Sequence, residues 1–266
     1  MEIKDIAKEW YYKLGFPSNY DIEFEYLLQN NELSSELTID NYDTKEKDGG
    51  KNLLYYLYFC EHLSQKYKEK GIPENILVDT VSDIVTWTKT WSNLKGELYL
   101  GEIDWLKRHL GMKLFRLGRL QFCIAKSEFE ISECGLLKGN PVIEVHIPEG
   151  ESLSREACVE SLDMAREFFA KYFPEIEYTV FTCHSWLLDE TLGEFLSEGS
   201  NILKFADLFT IVAQHPSNAL LRYIFRWDRK REQLEEVEPP SSFAKRIKDA
   251  AMQGKEFHQG LGYINK

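Results

Sequence analysis

At Gly111 the hydrophobic period of this chain changes, and that change limits the possible folds more than any other feature. Before it, apolar residues recur every three or four positions, the spacing that lines one face of a helix. Ile3, Ile6, Trp10 and Leu14 make such a stripe, ended by Gly15 and Pro17. A second helix is expected over Asp21 to Asn30. The stretch Ser34 to Gly50 has no apolar period, ends in Lys-Asp-Gly-Gly and reads as a loop. Asn52 to Lys70 resume a helical pattern that stops at Gly71. Pro73 then suits a first helical turn, and Leu77, Val81, Ile84, Thr88 and Trp91 carry one stripe toward Gly96. A last helix over Gly101 to Leu110 closes at Gly111.

Beyond Gly111 the segments are short and rich in β-branched and aromatic residues. Phe115 to Ile124, Phe129 to Leu137 and Val142 to Ile147 read as a strand meander. Ser154 can cap a helix whose stripe Cys158, Leu162, Ala165, Phe169 and Tyr172 runs to Pro174, and Tyr178 to Leu187 returns to strand. A strand, a crossover helix and a further strand favour parallel pairing of Val142 to Ile147 with Tyr178 to Leu187. A short helix at Glu190 to Ser197, an amphipathic stretch at Asn201 to Phe205, strands around Phe209 to Ala213 and Leu221 to Trp227, and a helix over Phe243 to Met252 complete the reading. The fold class is α+β: a helical domain over 1–111, then a mixed sheet flanked by helices over 112–266.

Composition narrows the function. With 43% hydrophobic and 14% aromatic residues in 266, the chain has ample material for a packed core. Its formal charge of -12 repels phosphate backbones, so a nucleic-acid binder would need a concentrated basic patch. The best candidate, Arg222 to Arg231, is followed at once by Glu232, Glu235, Glu236 and Glu238, and a solvated mixed-charge surface is the expectation there. The cysteines at 60, 123, 134, 158 and 183 are odd in number and lack C-x-x-C spacing, so neither a disulfide framework nor a zinc knuckle is written. No apolar run approaches 18 residues. A cytoplasmic protein without nucleic-acid, membrane or metal partners is expected. The histidines at 62, 109, 146, 184, 215 and 258 form no metal-ligand motif.

Three runs carry a family likeness: Val145 to Leu153 with the helix after it to Phe169, Phe181 to Asp189, and Ser200 to Phe205. They resemble bacterial acyltransferase-domain proteins with a helical N-terminal acyltransferase region and a C-terminal domain similar to the GNAT superfamily of N-acyltransferases. The resemblance implies two parallel strands that splay apart, with the pantetheine arm of an acyl-CoA, acetyl-CoA in the commonest case, lying in the gap. It further implies a pyrophosphate at the N-terminus of the next helix, where free N–H groups and the helix dipole suit an anion. The donor-binding positions it marks are Ile147, Gly150, Ser154 and Arg155, with Asn201 on the helix after the second strand. The usual phosphate loop is rich in glycine, whereas Pro148 to Glu156 holds only Gly150 and sets Glu149, Glu151 and Glu156 against Arg155. Either the donor is carried differently, or the domain has kept the shape and lost the ligand. The tyrosine such proteins carry later on the Asn201 helix is not evident; Phe205 and Phe209 occupy that region.

Attack of an amine on a thioester needs a proton acceptor, because an amine of pKa near 10.4 is neutral only about once in 2,500 at pH 7. Strand alternation puts Glu144 and His146 on one face, so both reach one cleft as base and orienting partner. Glu144 is the position the resemblance supports; a surface Glu beside a hydrogen-bonded His is the plainer alternative. On the second strand alternation separates Cys183 from His184, which argues against a thiol nucleophile with an adjacent base and leaves Cys183 as a small core residue. His184 either faces the cleft beside His146 or packs under a helix. The leading expectation is an acyl-CoA-dependent N-acyltransferase acting on a small-molecule or peptide amine, its helical domain covering the acceptor side of the cleft. The rivals are a non-catalytic module binding a small molecule or peptide in the same cleft and an acyl carrier through Cys183.

Overall fold

The computed structural model describes residues 2–42, 48–225 and 231–266. The sequence expectations for 43–47, and for 226–230 within the basic run and the strand drawn to Trp227, lie outside the described residues. The chain sorts into two compact units. The first comprises Met1–Cys123, Ile147–Glu149 and Glu167–Pro174; the second comprises Ile124–His146, Gly150–Arg166 and Glu175–Lys266.

The first unit is mainly helical, with α1 (Ile3–Lys13), α2 (Asp21–Asn30), α3 (Gly49–Lys70), α4 (Glu74–Val81), α5 (Asp83–Lys95) and α6 (Ile103–Leu110). Its centre is α3, whose residues from Leu53 to Cys60 are all buried, the mark of a helix with neighbours on every side. Tyr11 of α1 stacks on Phe16 and on Phe24 of α2 with ring centroids 4.6 and 3.8 Å away. Two expectations change here. The helix expected from Asn52 begins at Gly49, started by Asp48 Oδ1 accepting from Lys51 N–H at 2.9 Å, and tight space explains the two glycines of its first turn: a Cβ on Gly49 would sit 2.3 Å from the Tyr99 ring and one on Gly50 2.7 Å from Leu27. The single stripe from Leu77 to Trp91 is broken at Ser82, whose hydroxyl donates back to the Val78 carbonyl at 2.7 Å, a bond that bends helices.

The expected strand Phe115 to Ile124 is instead a hairpin of β1 (Leu114–Leu117) and β2 (Leu120–Lys126). Gly118, at φ +69°, takes the first turn position, which glycine adopts without steric cost. Phe129 to Leu137 holds no strand; one isolated bridge joins Ile131 and Leu136 around a 3₁₀ turn.

The remaining elements are β3 (Pro141–His146), α7 (Arg155–Tyr172), β4 (Val180–Ser185), α8 (Asn201–Ala206), β5 (Thr210–Pro216), α9 (Ala219–Phe225), α10 (Ser242–Met252) and β6 (His258–Asn265). One mixed sheet of six strands runs in the order β1-β2-β3-β4-β6-β5, with β3 and β4 parallel as expected. The α+β reading therefore holds. The strand expected at Leu221 is a correction: α9 is helical, started by Ser217 Oγ accepting from Ala219 N–H at 3.1 Å, and it buries Leu220, Leu221 and Phe225 in one core with α10.

β6 went unread in the sequence, although it pairs with both β4 and β5. Two glycines, Gly260 and Gly262, hide it from a propensity reading, and packing explains them. A Cβ on Gly260 would lie 2.2 Å from the Leu188 carbonyl oxygen, and one on Gly262 3.0 Å from Phe209 Cβ. Buried Asp189 ties the strand's start down by accepting from His258 N–H at 2.7 Å and from Thr191 N–H at 2.9 Å.

Candidate active site

Parallel β3 and β4 are joined over a short length only. Their ladder consists of Ile143 opposite Phe181 and Glu144 opposite Thr182. Past that point β4 keeps its antiparallel partner, pairing with β6 from Val180–Asn265 through to Ser185–Gly260, so β4 stays regular while β3 leaves it. The ends of β3 and β4 thus open on each other.

Side-chain alternation decides what faces that opening. Glu144 is beside Thr182, so two residues further His146 and His184 hold matched places on the two strands, on the same face. His146 Nε2 lies 3.4 Å from Glu144 Oε2, with the two side chains 31% and 29% exposed, which bears out their expected common face. His184 is exposed to solvent at its edge. Phe129 packs against it with ring centroids 5.1 Å apart, and His215 meets it edge-on at 5.3 Å. These rings withdraw the imidazole from water and lower its pKa, and positive charge on His215 acts in the same sense; Glu128 and Glu144 oppose both. An imidazole so placed is neutral at pH 7 and free to take a proton.

The opposite face is apolar. Ile143, Val145, Phe181 and Cys183 are each at most 2% exposed. Burial, with Glu144 adding to it, pushes the Cys183 thiol far above its ordinary pKa, so a thiolate does not form there at neutral pH. A core thiol is what this position holds, and an acyl carrier through Cys183 has no support.

The donor-binding candidates sit between β3 and α8. Ile147 follows β3 directly. Gly150 has φ +119°, a conformation side chains rarely adopt, and nothing lies within 4 Å of where its Cβ would be. Ser154 accepts from Ala157 N–H at 3.3 Å and so starts α7 as expected. Arg155 Nη1 donates to the Lys204 carbonyl at 3.3 Å, and Asn201 Nδ2 donates to Ser152 Oγ at 3.0 Å, so both side chains clip the loop after β3 to α8. Capping of α8 falls to Ser200, whose Oγ accepts from Ile202 N–H at 3.2 Å. Glu149, Glu151 and Glu156 are all solvent-exposed, where water screens their repulsion of a phosphate.

Sequence reasoning missed His215 and Phe129. His215 lies on β5, two strands from His184 in the sheet, and only the order β4-β6-β5 brings the rings together. No spacing along the chain carries that signal. Among the described residues no helix is long and apolar enough to cross a membrane.

Comparison with known proteins agrees with this geometry. Residues 24–112 match the N-acyltransferase N-terminal domain model, and residues 114–264 match the GNAT-like C-terminal domain model. Similar solved structures include an acyltransferase in complex with decanoyl-CoA and teicoplanin, 22% identical over 97% of this chain and 87% of that one, with a TM-score of 0.80. An acyltransferase mutant in complex with octanoyl-CoA is also 22% identical over 97% and 87%, with a TM-score of 0.81. An acyltransferase in complex with decanoyl-CoA is 24% identical over 97% and 86%, with a TM-score of 0.79. A comparison with curated proteins finds no match. The chain belongs to the family of N-acyltransferases with a GNAT-like C-terminal domain.

Proposed function

We propose that this chain transfers a medium-length acyl group, of the octanoyl or decanoyl kind, from acyl-CoA to an amine on the polar side of the opening between β3 and β4. The observation that carries the reading is the end of the β3–β4 ladder at Glu144 and Thr182, with an imidazole at the next same-face position of each strand. Chain length comes from the donors held by the similar structures, and an acceptor of the teicoplanin kind is the first to test for the same reason. Acetyl-CoA becomes the minor donor.

The amine nitrogen attacks the thioester carbonyl, the C–N bond forms, and the C–S bond breaks to release the CoA thiolate. A backbone N–H at the strand opening polarises the carbonyl oxygen, a contribution worth roughly 3 kcal/mol when such a donor is well placed. His184, neutral at pH 7, takes the proton of the attacking amine. His146 stands across the opening with its ring oriented by Glu144, where the negative carboxylate also favours a cationic amine on arrival. Ile147, Gly150 and Ser154 line the path toward the pyrophosphate, while Arg155 and Asn201 hold that loop in shape through Lys204 and Ser152. The boundary between an acceptor-binding helical domain and the transferase domain is set at 111/112, supported by α6 ending at Leu110 and β1 starting at Leu114.

The test is release of free CoA by the full chain with octanoyl-CoA, decanoyl-CoA and acetyl-CoA, each with and without teicoplanin or simpler amines. Release that requires the amine and prefers the longer donors supports the reading. Binding of acyl-CoA without turnover for any amine would favour a non-catalytic module instead.

A further inference from the structure

We propose that His215 is the positioning residue for the proton acceptor: it holds the His184 ring edge-on and sets the pH at which His184 works. The proposal deepens the reading of His184 as base and rests on it. The two histidines are not neighbours in the sheet. His184 pairs with Leu261 of β6, Leu261 pairs on its other side with Ala213, and His215 pairs with Gln259, so the side chains converge across β6. Their rings meet at 5.3 Å and 89°. Phe129 closes the cluster from the β2–β3 connection, edge-on to His184 and stacked on His215 at 5.8 Å and 25°. Leu261, 3% exposed, forms part of the apolar floor that Phe129 and Ala213 share.

Such a cluster fixes where the imidazole points and which charges it feels. The charged groups His184 feels are His215 from β5, Glu144 from β3 and Glu128 from the β2–β3 connection; His146 holds the matched place on β3, and Tyr263 of β6 pairs with Thr182 two residues before His184. The carboxylates favour an imidazolium and His215 disfavours it. An ordinary imidazole is about a quarter protonated at pH 7, and that fraction cannot accept a proton from an amine. Positive charge on His215, 5.3 Å away, acts to shrink the inactive fraction whenever it is present.

Two variants of the full chain separate charge from packing, and His215 is exposed enough to tolerate both. In His215→Gln the neighbour can carry no charge, and in His215→Lys it carries one permanently. Two readouts are needed: the titration of the His184 ring protons by NMR, assigned by their loss in His184→Gln, and the pH dependence of kcat/KM for amine-dependent CoA release. The expected result is opposite movement, with His215→Gln shifting the His184 titration upward by roughly half a unit and His215→Lys shifting it downward. The ascending limb of the rate profile should follow in both. Unchanged titration in both variants, or a shift of the same sign in both, overturns the proposal. Opposite NMR shifts with an unmoved rate profile would instead overturn His184 as the base.

Discussion

The two faces of β3 and β4 are built from alternating residues of the same short segments, yet they differ in almost every chemical respect. On one, Glu144, His146, Thr182 and His184 stand at the opening; on the other, Ile143, Val145, Phe181 and Cys183 are sealed in core. Cys183 and His184 are adjacent in the chain and opposite in fate. Burial drives the thiol out of its reactive range, while the partial cover of Phe129 and His215 keeps the imidazole neutral and still reachable. Reactivity in this region is assigned by the strand's two-residue period, and residue type alone would have favoured the thiol.

The contrast can be broken most sharply at His184. His184→Gln should lower kcat/KM for amine-dependent CoA release by roughly a hundred- to a thousandfold, the usual worth of a positioned base. Next comes the strand that keeps β4 regular. Gly260→Ala forces a methyl group against the Leu188 carbonyl and should cost about 3 kcal/mol, read as a lowered denaturant midpoint. Glu144→Gln leaves the His146 contact sterically intact but removes its charge, and should cost about tenfold in turnover. On the apolar face, Cys183→Ala should leave turnover near wild type while lowering stability by about 1 kcal/mol, a shift of roughly 2–4 °C in Tm. In the folded wild type, Cys183 should also resist alkylation at neutral pH.

The smallest effect concerns acid. Folding lowers the His184 pKa, so the unfolded chain holds that proton more tightly. Stability is therefore complete above the ordinary imidazole range and falls as the pH drops through it toward the folded value. His184→Gln should make the loss of stability between pH 7 and pH 5 shallower, by denaturant titration at each pH.

Where apolar periodicity runs long, the sequence was readable: α1, α2 and α10 lie within a residue or so of their expected limits, and the strand–helix–strand order made β3 and β4 parallel. What stayed hidden depended on packing from elsewhere in the chain. Gly260 and Gly262 give no strand signal until Leu188 and Phe209 are seen against them, and the α4–α5 break rests on one serine hydroxyl bonding back four residues. For the site, alternation was enough to set Glu144 beside His146 and to part His184 from Cys183. It could not bring in His215, which reaches His184 only through the placing of β6 between their strands.

The most direct test is a comparison of amine-dependent CoA release from octanoyl-CoA by wild type, by the triple variant Glu144→Gln, His146→Ala, His184→Gln, and by Cys183→Ala, after circular dichroism has shown all of them folded. The account requires transfer to disappear in the triple variant and to persist in Cys183→Ala. Transfer that survives loss of the polar face, or vanishes with the buried thiol, would contradict it.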